Sequence, residues 1–308
     1  MREKLLKKTD TTYDIITFGE VLIDQITHHD QKTQNYVGGS PSNIAINMKQ
    51  LGAHALFVGA VGNDAHGQLI QDRFLKSNLA THLAVVDAPT SIVHINQSIE
   101  TPIPAFLRGA DYVLKEDAVL TEALKSTKIF HFSYWPLTRK PALDTLMNAI
   151  DMAFDAGALI GFDPNLHPAL THPESIGQEA LHALLKRVDF IKPSLDDAKR
   201  MWGDGLLISD YLDRFEAFDI PVIIMSLGKD GIVLSHHKKR TFIPSPTTEV
   251  VDTTGAGDAF YSGFYMSLLN GHDLLRACED AQRVSELVLG VVGAIADLPH
   301  YHELLKGA

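Results

Sequence analysis

Short β-branched runs alternate with longer amphipathic stretches along most of the chain. Runs at residues 14–18, 56–61, 129–133, 159–163, 190–192, 221–227 and 232–235 read as strands. Between them, apolar positions recur at helical spacing over 42–51, 66–77, 117–126, 141–156, 173–185 and 209–218. Several strands are apolar throughout instead of alternating, as in sheets covered on both faces. Repeated strand–helix units of this kind predict an α/β fold with a mostly parallel central sheet and right-handed crossovers. Such sheets bind ligands beyond the carboxyl ends of their strands.

Two stretches break the rhythm. Residues 21–37 and 91–108 are strand-like, with alternation such as Ile92-Val93-His94-Ile95-Asn96, and no helix separates their halves. Each predicts a hairpin projecting from the main sheet, either as a surface feature or as a small β lid over a site. With no repeat or long Pro/Gly/Ser linker, residues 1–308 read as a single domain carrying these two insertions.

Composition narrows the partners. The chain has 308 residues, 45% hydrophobic and 21% charged, which is ordinary for a globular protein. Its formal charge of −11 disfavours nucleic acid and anionic membrane surfaces, because both require a basic face. One cysteine, Cys278, cannot form an internal disulfide, which fits a reducing compartment. Basic residues at Arg2, Lys4, Lys7 and Lys8 are not followed by an apolar segment, so no signal peptide is expected. No run approaches the roughly 20 apolar residues of a membrane helix. A soluble, cytoplasmic protein is expected.

The chemistry concentrates at Asp252-Thr253-Thr254-Gly255-Ala256-Gly257-Asp258-Ala259-Phe260, ahead of an apolar helical run to residue 269. A glycine turn at a helix N-terminus leaves amide N–H groups free and aligned with the helix dipole, an arrangement that binds a phosphoryl group. Asp258 then has two readings: an acid stabilised by that dipole, or a general base beside the bound anion. A second segment, Gly38-Gly39-Ser40-Pro41-Ser42-Asn43, opens a helix with paired glycines that fit a hinge or a close backbone approach. Upstream, Asp24 could accept two neighbouring hydroxyls of a polyol or cap a turn. A G-x-x-x-x-G-K-[ST] loop is absent, since Gly228-Lys229 is followed by Asp230.

Together these segments resemble the PfkB family of carbohydrate kinases, which has the ribokinase-like fold. The D-T-T-G-A-G-D-A-F signature is intact at 252–260, and the N-terminal signature runs from Gly38-Gly39 through Asn43 and Ala45 to Gly59, Gly62, Asp64 and Gly67. The resemblance covers roughly residues 13–300. It implies Asp258 as the base and the amides of Gly255, Ala256 and Gly257 as the anion hole. Asp24, Gly38, Gly39, Asn43, Arg108 and Asp163 would face the sugar. Lys192, Ser194, Ser226, Gly228, Lys229 and Gly231 would face ATP, and the hairpins would form a water-excluding lid, a surface through which two copies could pair. Gly19-Glu20-Val21-Leu22-Ile23-Asp24, Phe106-Leu107-Arg108-Gly109-Ala110-Asp111 and Asp163-Pro164-Asn165 are similar to the fructokinase branch, pointing to fructose as acceptor. Ribose, 2-keto-3-deoxygluconate or a nucleoside are the alternatives, with a non-catalytic sugar- or nucleotide-binding protein behind them.

Three positions depart from the family. His167 stands where relatives carry an arginine, exchanging a permanent charge for a group mostly neutral at pH 7. Ser194-Leu195-Asp196-Asp197 replaces N-x-x-E, so Asp197 would meet Mg2+ through water. Asp297 stands where ribokinases carry serine, beside a K+ loop that would use Asp252 and Thr254. Arg108 also has the plainer reading of a solvated edge charge. The 15 histidines, including the His28-His29 and His236-His237 pairs, lack zinc spacing and read as surface or packing residues.

Overall fold

Every other residue of the central strands faces a different helical layer, which is what an apolar strand without alternation requires. The computed structural model describes residues 11–27, 31–96, 104–246 and 250–305. The basic residues Arg2, Lys4, Lys7 and Lys8, the His28-His29 pair, and positions 28–30 and 97–103 of the hairpin segments lie outside the described residues.

The strands are β1 (Tyr13–Phe18), β2 (Leu22–Thr27), β3 (Thr33–Gly38), β4 (Ala55–Gly62), β5 (Ala80–Val86), β6 (Ile92–Asn96), β7 (Ala105–Leu107), β8 (Thr127–Ser133), β9 (Leu159–Asp163), β10 (Phe190–Ile191), β11 (Val222–Ser226), β12 (Gly231–His236) and β13 (Lys239–Pro244). The helices are α1 (Ser40–Leu51), α2 (Ala65–Lys76), α3 (Ala118–Lys125), α4 (Ala142–Asp155), α5 (Gln178–Leu185), α6 (Leu195–Trp202), α7 (Ile208–Glu216), α8 (Ala256–Leu269), α9 (Leu274–Leu289) and α10 (Tyr301–Leu304). Nine strands form the main sheet in the order β13-β12-β11-β10-β9-β8-β1-β4-β5. From β5 to β11 the pairs are parallel. The last two pairs are antiparallel, because the short turn after Ser226 is too brief for a crossover.

On one face Ile15, Phe57, Ile129 and Leu159 pack with Ile44 of α1, Phe264 of α8 and Val284 of α9. On the other, Ile16, Phe18, Phe130 and Phe132 meet Leu146 and Ile150 of α4 and Phe215 of α7. Trp202 packs on Phe215 at 4.7 Å between ring centres and so joins the second core layer. The strands the sequence pattern passes over are the sheet's two outermost, β5 and β13. As edge strands, both are largely exposed, and β13 carries Lys239, Arg240 and Thr241. The helix expected from residue 173 starts at Gln178, after a turn ending at Gly177. Among the described residues no helix is long and apolar enough to cross a membrane.

The two hairpin segments are not separate ornaments. They join in one four-stranded sheet, β3-β2-β6-β7, through parallel pairing of β2 with β6. A buried ion pair fastens this lid to the body. Arg108, just past β7, gives Nε to Asp111 Oδ2 at 2.9 Å and also contacts Thr138 and the carbonyl of Trp135. Asp111, 1% exposed, further accepts Trp135 Nε1 at 2.6 Å, Ser91 Oγ and the Gly109 amide. Removing one partner of a buried pair leaves the other charge uncompensated, at a cost of about 3–5 kcal/mol. Asp111→Ala is therefore expected to lower unfolding free energy by that order, measured by denaturant titration. A loss below about 1 kcal/mol would mean that Arg108 finds water or another acceptor.

Candidate active site

Helix α8 begins at a residue that only glycine fills easily. Gly255 lies at φ 77°, and a Cβ there would sit 2.3 Å from the carbonyl oxygen of Ala294. The Ala256 amide closes a turn on the Thr253 carbonyl at 3.3 Å. The first-turn amides of Gly257 and Asp258 have no acceptor within the helix by construction, so they point outward at its positive end.

Asp258, the third residue of this helix, does not fold back to cap it. Its carboxylate reaches α1, accepting from Ser40 Oγ at 2.7 Å and from Asn43 Nδ2 at 2.8 Å. Of the two readings of this acid, the geometry therefore favours a side chain aimed into a site. Burial raises its pKa, while Ser40, Asn43 and the Lys192 charge oppose that rise. Asn43 Oδ1 is buried and has no hydrogen-bond partner among the described residues.

Three further carboxyl groups gather around it, those of Glu20 and Asp163 buried and that of Asp24 in a partly buried residue. Burial pushes Glu20 up to about 8, against the opposing bonds from Ser133 Oγ at 2.7 Å and the Ser40 amide at 3.2 Å. Burial, aided by the Asp258 charge, raises Asp24 to about 7. Asp163, at the end of β9, is also raised to about 7 by burial, although Lys192 pulls it down. The paired glycines make room for this cluster. A Cβ on Gly38 would lie 2.0 Å from Asp24 Oδ2, and one on Gly39, at φ 106°, would lie 2.5 Å from the Glu20 carbonyl. Close approach, and not a hinge, accounts for them.

Lys192 joins this cluster to a second compartment. Its Nζ is 4.0 Å from Asp163 Oδ2 and 4.9 Å from the ring centre of Tyr261. The Tyr261 hydroxyl fixes its backbone by accepting the Lys192 amide at 2.9 Å and donating to the Phe162 carbonyl at 2.6 Å. Lys192 also lines a cavity of about 510 Å³ with Ser226, Gly228, Lys229, Gly231, Ala256 and Gly257. All the residues expected to face ATP line it apart from Ser194, together with Ala256 and Gly257 of the expected anion hole. Phe260, Gln282 and Ser285 line it too. Gln282 and Ser285, on α9, carry no motif in the sequence that marks them for this site.

Ser194 and Asp197 instead bond to each other. They form the capping box of α6, with Ser194 Oγ to Asp197 Oδ2 at 2.6 Å, and Asp197 Oδ1 accepts the Leu166 amide at 2.7 Å. Asp197 thus ties α6 to the loop after β9. Asp252 accepts Thr254 N and Oγ1 at 3.0 and 2.8 Å and the Gly293 amide at 2.9 Å, pinning the two halves of the expected cation loop together. Among the described residues no cluster of three or more His, Cys, Asp or Glu could hold a metal. The oxygen donors present suit a magnesium ion bound mainly by phosphates and water. His167 packs on Phe106 at 4.8 Å, and burial and the Arg200 charge keep its pKa below the ordinary value. Arg108 is not a solvated edge charge, being engaged by Asp111.

The match to the family described as pfkB family carbohydrate kinase spans residues 3–301. The chain is 38% identical over 297 residues to the ATP-dependent 6-phosphofructokinase of Thermoanaerobacterium thermosaccharolyticum, covering 94% of this chain and 92% of that one. It is 27% identical over 312 residues to fructokinase-1 of Oryza sativa subsp. japonica, covering 95% and 96%. The solved fructokinase of Halothermothrix orenii superimposes with a TM-score of 0.77 at 32% identity, over 92% of this chain and 99% of that one.

The carboxyl cluster has a measurable signature. Asp24 holds its proton to about 7 in the folded chain against an ordinary 3.8, so the folded state binds that proton more tightly. Its contribution therefore destabilises progressively as pH rises through that window. Asp24→Asn is expected to raise unfolding free energy more at about pH 8 than at about pH 5. Denaturant titrations at both values check this, and equal gains would contradict it.

Proposed function

Since the chain belongs to the pfkB family of carbohydrate kinases and is an ATP-dependent sugar kinase, we propose that it transfers the γ-phosphoryl group to fructose, giving fructose 6-phosphate. One observation carries the mechanism: Lys192 stands between the nucleotide cavity and the carboxyl cluster that contains Asp258. ATP lies in the cavity with its terminal phosphate toward the first-turn amides of α8. The sugar lies on the opposite side, under the lid, with hydroxyls toward Asp24, the Gly38–Gly39 backbone and Asn43. Because the Asn43 amide nitrogen is committed to Asp258, its free Oδ1 accepts a bond from a sugar hydroxyl.

Asp258 takes the proton of the attacking primary hydroxyl as its oxygen bonds to phosphorus and the bond to the ADP oxygen breaks. The α8 amides and Lys192 offset the charge on the transferred group, the kind of preorganised stabilisation that dominates phosphoryl transfer. Asp197 would meet a nucleotide-bound magnesium ion through water, and that ion would supply further charge neutralisation at the phosphates. The Asp252–Thr254 and Gly293 loops suit a K+ ion that holds the anion hole in shape. The lid's outer face, where Leu107 is 60% exposed, suits pairing of two copies. A cytoplasmic setting agrees with the single buried thiol of Cys278.

A second reading, fructose 6-phosphate as acceptor, is favoured by the name of the 38% identical relative. Charge on the acceptor side argues for fructose. Asp111 already matches Arg108, and His167 is held neutral, so neither offers a second phosphate a free cation.

ATP consumption measured with fructose, fructose 6-phosphate, ribose, 2-keto-3-deoxygluconate and a nucleoside, with and without K+, tests the acceptor. Fructose is expected to be fastest, and a preference for any other would displace it. Asp258→Asn should cost about 10²–10⁴-fold in kcat while ATP binding persists. Undiminished turnover in that variant would refute the base.

A further inference from the structure

We propose that Ser40 is a positioning residue for the base: its hydroxyl, set by the buried Glu20, orients Asp258 and keeps it ready to accept a proton. This deepens the reading of Asp258 as base and rests on it.

The argument starts from what Ser40 does not do. A serine at the start of a helix usually caps it by accepting an amide N–H. In α1 the cap position is Gly39, no side chain caps the helix, and Pro41 follows at the first turn. The Ser40 hydroxyl, in a residue only 6% exposed, is free for another role. It donates at 2.7 Å to Asp258, a residue 218 positions away. A hydroxyl has one proton to give, so this bond fixes the direction of the donor.

Ser40 is itself held from behind. Its amide donates to Glu20 Oε1 at 3.2 Å, and Ser133 Oγ holds Glu20 Oε2 at 2.7 Å. A chain of contacts thus runs from β8 through Glu20 and the backbone of Ser40 to the carboxylate of Asp258. Asn43 secures the other oxygen at 2.8 Å. The titratable and charged groups facing Asp258 are Glu20 from the segment joining β1 to β2, Asp24 on β2, Asp163 at the end of β9, and Lys192 after β10. From α9, the nearest contact is Ser285 Oγ on the Ala256 carbonyl, which carries no charge. Burial disfavours ionisation of the base, and Ser40, Asn43 and Lys192 favour it, while the Asp258 charge in turn holds its three acidic neighbours toward their neutral forms.

A hydrogen bond to a carboxylate stabilises its charged form, so losing one moves its titration upward. In Ser40→Ala the acid limb of the kcat–pH profile is expected to shift about one unit toward alkaline pH, lowering kcat about tenfold on the acid side. The KM for ATP should change little, since no nucleotide contact is lost. Ser40→Thr restores the hydroxyl and should return the limb to its original position. An unmoved limb in Ser40→Ala, or equal shifts in both variants, would overturn the proposal. Asp258→Asn is measured alongside. Turnover retained in that variant overturns the base assignment itself, whereas an inactive Asp258→Asn with an unmoved Ser40→Ala overturns only the role of Ser40.

Discussion

Four carboxyl groups gathered around one lysine, out of water, are the constraint that organises this molecule. Glu20, Asp24, Asp163 and Asp258 are buried or nearly so, and each feels burial as the largest influence on its acidity. Isolated buried carboxylates are too costly to keep, so protons and hydrogen bonds must be distributed among them. The distribution is uneven. Asp24 has only burial and a neighbouring negative charge acting on it, both of which favour its neutral form. Asp258 has two side-chain donors and Lys192 on its side. Unequal surroundings of this kind push the acidities of neighbouring carboxyl groups apart within a single pocket.

The fold supplies these neighbours from distant parts of the chain. Glu20 follows β1, Asp163 ends β9, Lys192 follows β10, and Ser40 and Asn43 open α1 against the first turn of α8. All lie at the carboxyl ends of parallel strands, where a doubly covered sheet leaves its crevice. The nucleotide cavity opens on the far side of Lys192, so the same amine faces both an incoming polyphosphate and the acid cluster. This local arrangement reconciles a chain of net charge −11 with an anionic cosubstrate.

Central elements were legible in the sequence because burial on both faces leaves an unbroken apolar run. The strand at 159–163 matches its expected bounds, whereas the largely exposed edge strands β5 and β13 lack the unbroken buried run that marks the central ones. Pattern alone also missed the union of the two hairpins, since pairing of β2 with β6 is a long-range choice. In the site, motifs named Asp258 and the paired glycines, but not the direction of their neighbours. Glu20 and Ser40 were visible inside quoted segments, yet nothing in their spacing says that one holds the other against the base. Arg108 was read as either a ligand or an edge charge. Its burial with Asp111 depends on Trp135 and Thr138, which spacing does not reveal.

The commitment of the Asn43 amide to Asp258 has a consequence for inhibitor chemistry. The atom left to greet a ligand is an acceptor, Oδ1, in a place water does not reach. A sugar analogue with fluorine at the hydroxyl that meets it brings a second acceptor and leaves both unsatisfied. An amino group there brings hydrogens to donate. Compounds built to occupy this pocket should therefore be chosen by donor count ahead of size.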